Sequence, residues 1–156
     1  GLLIIDGGTY NNTFYNNSTG RIIDDTGNLY SLKMKNGTVN TTFNNNSTGI
    51  ACFEGGTINV TSGAAINNTA AGTINIGIHD GSVLNKDNTK PIITGKTFGI
   101  YTSVPAATVD FYDGVISGQQ AYNVTIRNVE SGYSVHRDYD STTNIETKYL
   151  TQEPMF

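Results

Sequence analysis

The sequence predicts an all-β solenoid: a single-stranded parallel β-helix, right-handed, of about eight short coils, closed by a C-terminal β-hairpin. Three observations carry that reading. The hexapeptide GGTINV at 55–60 returns as AGTINI at 71–76, sixteen residues later. In both copies apolar residues alternate with Thr and Asn, so Ile58 and Val60 share one face of a short strand, as do Ile74 and Ile76. A longer repeat, GTYNNTFYNNSTG at 8–20, matches GTVNTTFNNNSTG at 37–49 with ten identities in thirteen positions. Finally, only 14% of the residues are charged, while 18 Gly, 22 Thr and 19 Asn supply turn and strand formers in place of helix formers. A unit that buries two or three apolar side chains cannot stand alone, and stacking on similar units is the physical remedy.

In chain order, the two Asn-rich copies lie 29 residues apart, and the intervening RIID at 21–24 reads as a further strand, which makes that interval two coils. One inward ladder then runs through Tyr10, Ile23, Val39, Ile58, Ile74, Ile92, Val109 and Val124. A second, two residues on, runs through Val60, Ile76, Phe111 and Ile126. The Gly before Thr at positions 8, 37, 56 and 72 suits a corner of positive φ. The run Asn44–Asn46 suits the same corners, because Asn tolerates the left-handed region and hydrogen-bonds its neighbours in a stack. Residues 1–131 form the coils. Residues 132–151 break the pattern and alternate on either side of Ser141–Asn144, as a hairpin does. Tyr133, Val135 and Tyr139 are expected to cover the last coil, whose open backbone edge would otherwise invite aggregation, and 152–156 form a tail.

Composition excludes several functions. The net charge of −4 and nine scattered Lys and Arg give no basic surface, so no nucleic acid partner is expected. Cys52, the only cysteine, reads as a small buried apolar residue, and no disulfide can form. No apolar run approaches the length of a membrane span, no leader is visible, and the chain opens in mid-pattern, as a fragment of a longer protein does. His79 and His136 lie 57 residues apart without a second ligand at metal spacing, so both read as solvated and neither metal nor cofactor is expected.

Parallel β-helices host polysaccharide lyases and hydrolases, and that chemistry needs paired carboxylates. Asp24–Asp25 precedes Thr26–Gly27 and reads as a turn, and Asp80–Gly81 and Asp113–Gly114 are turn dipeptides too. Arg137 reads as a surface ion pair with Asp138 or Asp140. Ten N-x-S/T triplets follow from the Asn and Thr content alone. The expectation is therefore a non-enzyme, with a polysaccharide lyase or hydrolase as the enzymatic alternative.

The motifs TINIGIHDGSV at 73–83, PIITGKTFGIY at 91–101, VDFYDGVISG at 109–118, and GYSV at 132–135 with KYL at 148–150 span half the chain. In these the sequence resembles a repeat module of adhesin-like surface proteins from Gram-positive gut bacteria, built as parallel β-helices. The resemblance implies a β-helical, exported, extracellular or cell-surface segment, structural or adhesive, with no membrane insertion of its own and no catalytic residues. Host or bacterial glycans or surface proteins are the implied partners. From the register, Asp110, Tyr112, Thr125 and Arg127 point outward on adjacent rungs with Tyr101 nearby, a grouping suited to stacking on a sugar ring and bonding its hydroxyls.

Overall fold

Alternation over only three or four residues makes short strands, and the Gly and Asn between them make corners. The computed structural model describes residues 1–153; the expected tail at 152–156 therefore lies partly outside the described residues. Among the described residues there are seventeen strands and no helix. The chain begins with β1 (Leu3–Tyr10), β2 (Phe14–Asn16), β3 (Arg21–Ile22), β4 (Leu29–Val39) and β5 (Phe43–Asn45). It continues through β6 (Ile50–Phe53), β7 (Thr57–Asn59), β8 (Ile66–Asn68), β9 (Thr73–Ile76), β10 (Ile92–Thr94) and β11 (Phe98–Thr102). It ends with β12 (Thr108–Phe111), β13 (Val115–Gly118), β14 (Gln120–Tyr122), β15 (Thr125–Val129), β16 (Tyr133–Asp140) and β17 (Ile145–Gln152).

These strands pair in three columns, almost all parallel. The first column stacks Leu3–Ile5 of β1 on Leu32–Met34 of β4, then β6, β9, β12 and β15. The second stacks Thr9–Tyr10 on Thr38–Val39, then β7, β10 and β13. The third stacks β2, β5, β8, β11 and β14. Strands β1 and β4 each serve two columns by bending midway, at Gly7–Gly8 and Gly37. Gly8, Gly37 and Gly56 share this corner with positive φ, as expected, and a Cβ on Gly37 would lie 2.8 Å from the Gly7 carbonyl oxygen. Gly72 has no such φ; it is crowded instead against the Thr48 carbonyl, 2.6 Å from its Cβ position.

The pairing corrects the expected register. Tyr10 lies directly beside Val39 and Phe14 beside Phe43, so 29 residues are one step of the stack and not two. Arg21–Ile22 turns back antiparallel on Leu29–Tyr30, and Ile23 is exposed. Ile58 and Ile74 stand in different columns: Ile58 lies between Val39 and Ile93, Ile74 between Ala51 and Val109. Ile93, not Ile92, is the inward residue of β10. Val109 meets Ile126 and Phe111 meets Val129, so Val124 stands outside the paired ladder though it is buried. The first column has six strands where eight equivalent rungs were expected. Ile74 and Val109 share a column as expected, as do Ile76 and Phe111, but they are direct neighbours, without the intervening rung expected at Ile92.

The core fills the space between the columns: Met34, Phe53, Ile76 and Phe111 from the first, Val39, Ile58, Ile93 and Ile116 from the second, Phe43, Ile66 and Ile100 from the third. Asn44 and Asn45 are not at a corner but on β5, in the third column, where Asn16, Asn45 and Asn68 point inward and are fully covered. The Asn16 amide donates to Asn45 Oδ1 (2.9 Å), Asn45 to Asn68 Oδ1 (2.9 Å) and Asn68 to Thr102 Oγ1 (3.2 Å). Each side chain thus satisfies the next, which is what allows amides to be buried. Cys52 is buried and accepts from the Asn75 amide (3.8 Å), and burial pushes its thiol up to about 11.

Strands β16 and β17 form the expected hairpin around 141–144, with Asn144 at φ 56°. β17 pairs antiparallel with β13 and so extends the second column. Leu150 is buried, and Tyr133 and Val135 pack on the core, whereas Tyr139 stays exposed rather than covering it.

Candidate functional site

Between β12 and β15 the register slips: Val109 faces Ile126, but Asp110 faces Asn128. Arg127 is the extra residue, and the bulge turns it and Asn128 toward one carboxylate. Arg127 donates from Nε to Asp110 Oδ1 (3.0 Å) and from Nη2 to Oδ2 (2.5 Å), and Asn128 Nδ2 donates to Oδ1 (3.1 Å). The Asp110 side chain is only 4% exposed, and these three donors compensate its burial. The same bonds hold the Arg127 guanidinium above its ordinary value.

Tyr112 follows at the end of β12, where the Ile76 carbonyl accepts from both Tyr112 N (2.7 Å) and Asp113 N (3.1 Å). Its ring stacks on the His79 imidazole, with centroids 4.4 Å apart and planes 24° from parallel. Burial, then the nearby Asp110 charge, pushes the phenol up. His79 belongs to the segment 77–91 that is inserted between β9 and β10. Its Nδ1 lies 2.9 Å from Glu130 Oε2; the imidazole is 63% exposed and the carboxylate 2%. Asp113 fixes the same insertion: it accepts from Leu84 N (3.3 Å), Gly114 N (2.8 Å) and the Thr89 hydroxyl. Farther along, Lys86 sits 5.4 Å over the Tyr149 ring and 3.7 Å from Asp138, and a cleft of about 460 Å³ opens between Leu84 and Tyr133.

Of the five residues expected to form one patch, the fold gathers Asp110, Tyr112 and Arg127. Asp110 is on the outward side of β12 yet buried, because the bulge brings its partners over it. Thr125 is exposed on β15, beside Thr108. Tyr101 stands apart, in the third column on β11. His79, Asn128 and Glu130 complete the cluster, and no local signal marks them, since His79 and Glu130 meet across 51 residues. His79 is exposed as expected, but bound as well. Arg137 pairs across the hairpin with Glu146 (2.5 Å), not with Asp138 or Asp140; Asp138 instead meets His136 (3.0 Å) and the Tyr149 hydroxyl (2.9 Å). Asp24 and Asp80 make the expected turns, accepting from Thr26 N (3.0 Å) and Ser82 N (2.9 Å).

Chemically, the cluster is a fastening. Both Asp110 oxygens are engaged by donors, and Glu130 is engaged by His79, so neither carboxylate is presented free to a ligand. Among the described residues no three His, Cys, Asp or Glu side chains are grouped to hold a metal ion, and no helix is long and apolar enough to cross a membrane. No protein-family model, no curated protein and no solved structure matches the chain.

Proposed function

We propose that the chain is a non-catalytic structural or adhesive segment of an exported bacterial surface protein, folded as a right-handed parallel β-helix of five full coils and part of a sixth. Right-handedness follows the general rule that parallel strands joined by crossovers in one sheet wind right-handed in about 98% of cases. The observation that carries the functional reading is the buried side-chain chain from Asn16 through Asn45 and Asn68 to Thr102, which ties four successive rungs at their centre. A stalk needs this, because each coil touches only its neighbours and stability is a sum of such joints. The outward cluster supports the same reading, since its acids are spent on internal ties.

The second reading, a carbohydrate-binding module or degenerate lyase- or hydrolase-like β-helix, is favoured by the stacked pair Tyr112 and His79 beside the half-exposed Arg127. Incubation with a panel of plant, bacterial and host polysaccharides separates catalysis from support. The protein should release neither reducing ends nor unsaturated uronates; release of either overturns the non-catalytic reading.

A further inference from the structure

The third column has an outward row that the proposed function does not use. Register places Tyr15 beside Asn44, Asn44 beside Asn67, and Asn67 beside Tyr101. The four side chains therefore stand in line along the stack, on the side opposite the buried Asn16, Asn45 and Asn68. At a strand spacing of about 4.8 Å, the three steps set the two tyrosines about 14 Å apart. Tyr15 is 53% exposed and Tyr101 36%. Neither hydroxyl has a hydrogen-bond partner among the described residues. Asn67 Nδ2 donates to Asn44 Oδ1 (3.2 Å), and Asn44 Nδ2 donates to the Phe14 carbonyl (3.2 Å), so both amides are held in place while the Asn67 carbonyl oxygen points to no protein donor. At the Tyr101 end the row sinks into a groove of about 360 Å³ whose walls are Thr42, Ala64, Asn67, Thr97, Phe98 and Tyr101. Phe98 packs against the Tyr101 ring with the two planes tilted by 53° and centroids 5.2 Å apart, and steadies it.

The charge of this face narrows the ligand. Among the third-column stretches 13–17, 41–47, 64–70, 96–103 and 119–123, Lys96 is the only charged residue. A phosphate or uronate polymer finds only the single cation of Lys96 to neutralise it here, and a charged protein surface finds little complement. An uncharged polymer with apolar ring faces and many hydroxyls fits: pyranose rings stack on Tyr, while fixed amides and Thr hydroxyls bond the rim of each ring. We propose that this face binds a neutral linear glycan laid along the axis of the stack, with Tyr15 and Tyr101 as terminal platforms and Asn67 as the central hydrogen-bonding contact.

Calorimetric titration with cellohexaose, xylohexaose, mannohexaose and chitohexaose tests the proposal, with polygalacturonate as a charged control. At least one neutral hexasaccharide should bind, and affinity for the matching oligomers should rise with length and then level off once the row is spanned. Tyr15→Ala and Tyr101→Ala should each weaken binding about tenfold at unchanged melting temperature. Tyr101→Phe, which keeps the ring, should retain most of the affinity, and Asp25→Ala, in an exposed turn outside this face, should leave it unaltered. The proposal is overturned if none of the four sugars binds, if binding survives both Tyr→Ala changes, or if polygalacturonate binds best. It is equally overturned if the Tyr variants change the sedimentation of the free protein, which would make this face a contact between two copies. Failure on any of these counts leaves the non-catalytic reading standing, because that reading is judged by product release and not by binding.

Discussion

The two ends of the stack are held together by different forces. From β2 to β11 the ties between rungs are neutral amides: Asn16, Asn45 and Asn68 inside, and Asn11 to Asn40 (2.8 Å) and Asn17 to Asn46 (2.7 Å) outside. Beyond residue 78 charged side chains enter the ties: the three Lys and Arg ion pairs of the described residues lie there, as do the two His–carboxylate contacts, beside the Asn123–Thr102 amide tie. The contrast follows geometry. Where consecutive rungs repeat with the same residues, identical amides meet and one donates to the other, forward along the inner row and backward along the outer ones. Where the 77–91 insertion and the antiparallel hairpin break the repeat, unlike elements meet, and oppositely charged partners join them. One end should therefore ignore salt and acid, and the other should respond to both.

The largest expected effect comes from Asn45→Ala. It leaves Asn68 Oδ1 without its donor and removes one of the Asn16 acceptors in a dry interior, costing about 3 kcal/mol in urea unfolding, with the same cost in 1 M salt. Arg127→Ala should cost less, about 2 kcal/mol, since Asn128 stays with Asp110 and water reaches the site; here the loss should shrink as salt rises. Equal salt dependence of the two variants would erase the contrast.

Acid sharpens it further. The Tyr149 hydroxyl holds Asp138 below its ordinary 3.8. Burial raises Glu146, but the Arg137 bond and the Ala121 N–H outweigh it and leave the group below 4.5. Both carboxylates bind protons less readily folded than unfolded, so their stabilisation is full above these ordinary values and is lost as pH falls through the folded ones. Asp24, similarly lowered by Thr26, lies in an exposed loop outside the ladders. Hydrogen exchange corrected for pH should show 133–152 opening in acid while 43–45 and 66–68 keep their protection; uniform opening would contradict the account. The smallest effect concerns Cys52, which, with its raised thiol and little exposure, should resist a thiol reagent at pH 8 until the protein unfolds.

The sequence made the strand class, the hairpin and the repeat legible, because each is written in adjacent residues: the alternation of TINI, the turn at 141–144, the doubled GT…NNSTG. The column assignment was not legible. GGTINV and AGTINI look alike because inward strands of any column obey the same alternation, so similarity alone could not say that Ile58 and Ile74 belong to different columns. Asn45 reads as a corner residue by propensity, and only a neighbour with the same amide makes it a core residue. The site was legible as far as Asp110, Tyr112 and Arg127, which lie on neighbouring strands. His79 and Glu130 meet only across 51 residues, and Tyr101, expected nearby without any register to place it, stands in the third column.

Cross-linking tests the register most directly, since both sites depend on it. In a Cys52→Ser background, Tyr15→Cys with Asn44→Cys places two thiols on adjacent parallel strands, within the Cα separation of about 4.4–6.8 Å that a disulfide spans. Asn59→Cys with Asn75→Cys follows the sixteen-residue repeat but joins different columns. Mild oxidation should close the first pair within one chain and leave the second as free thiols. Closure of the second pair without the first would contradict the three-column arrangement.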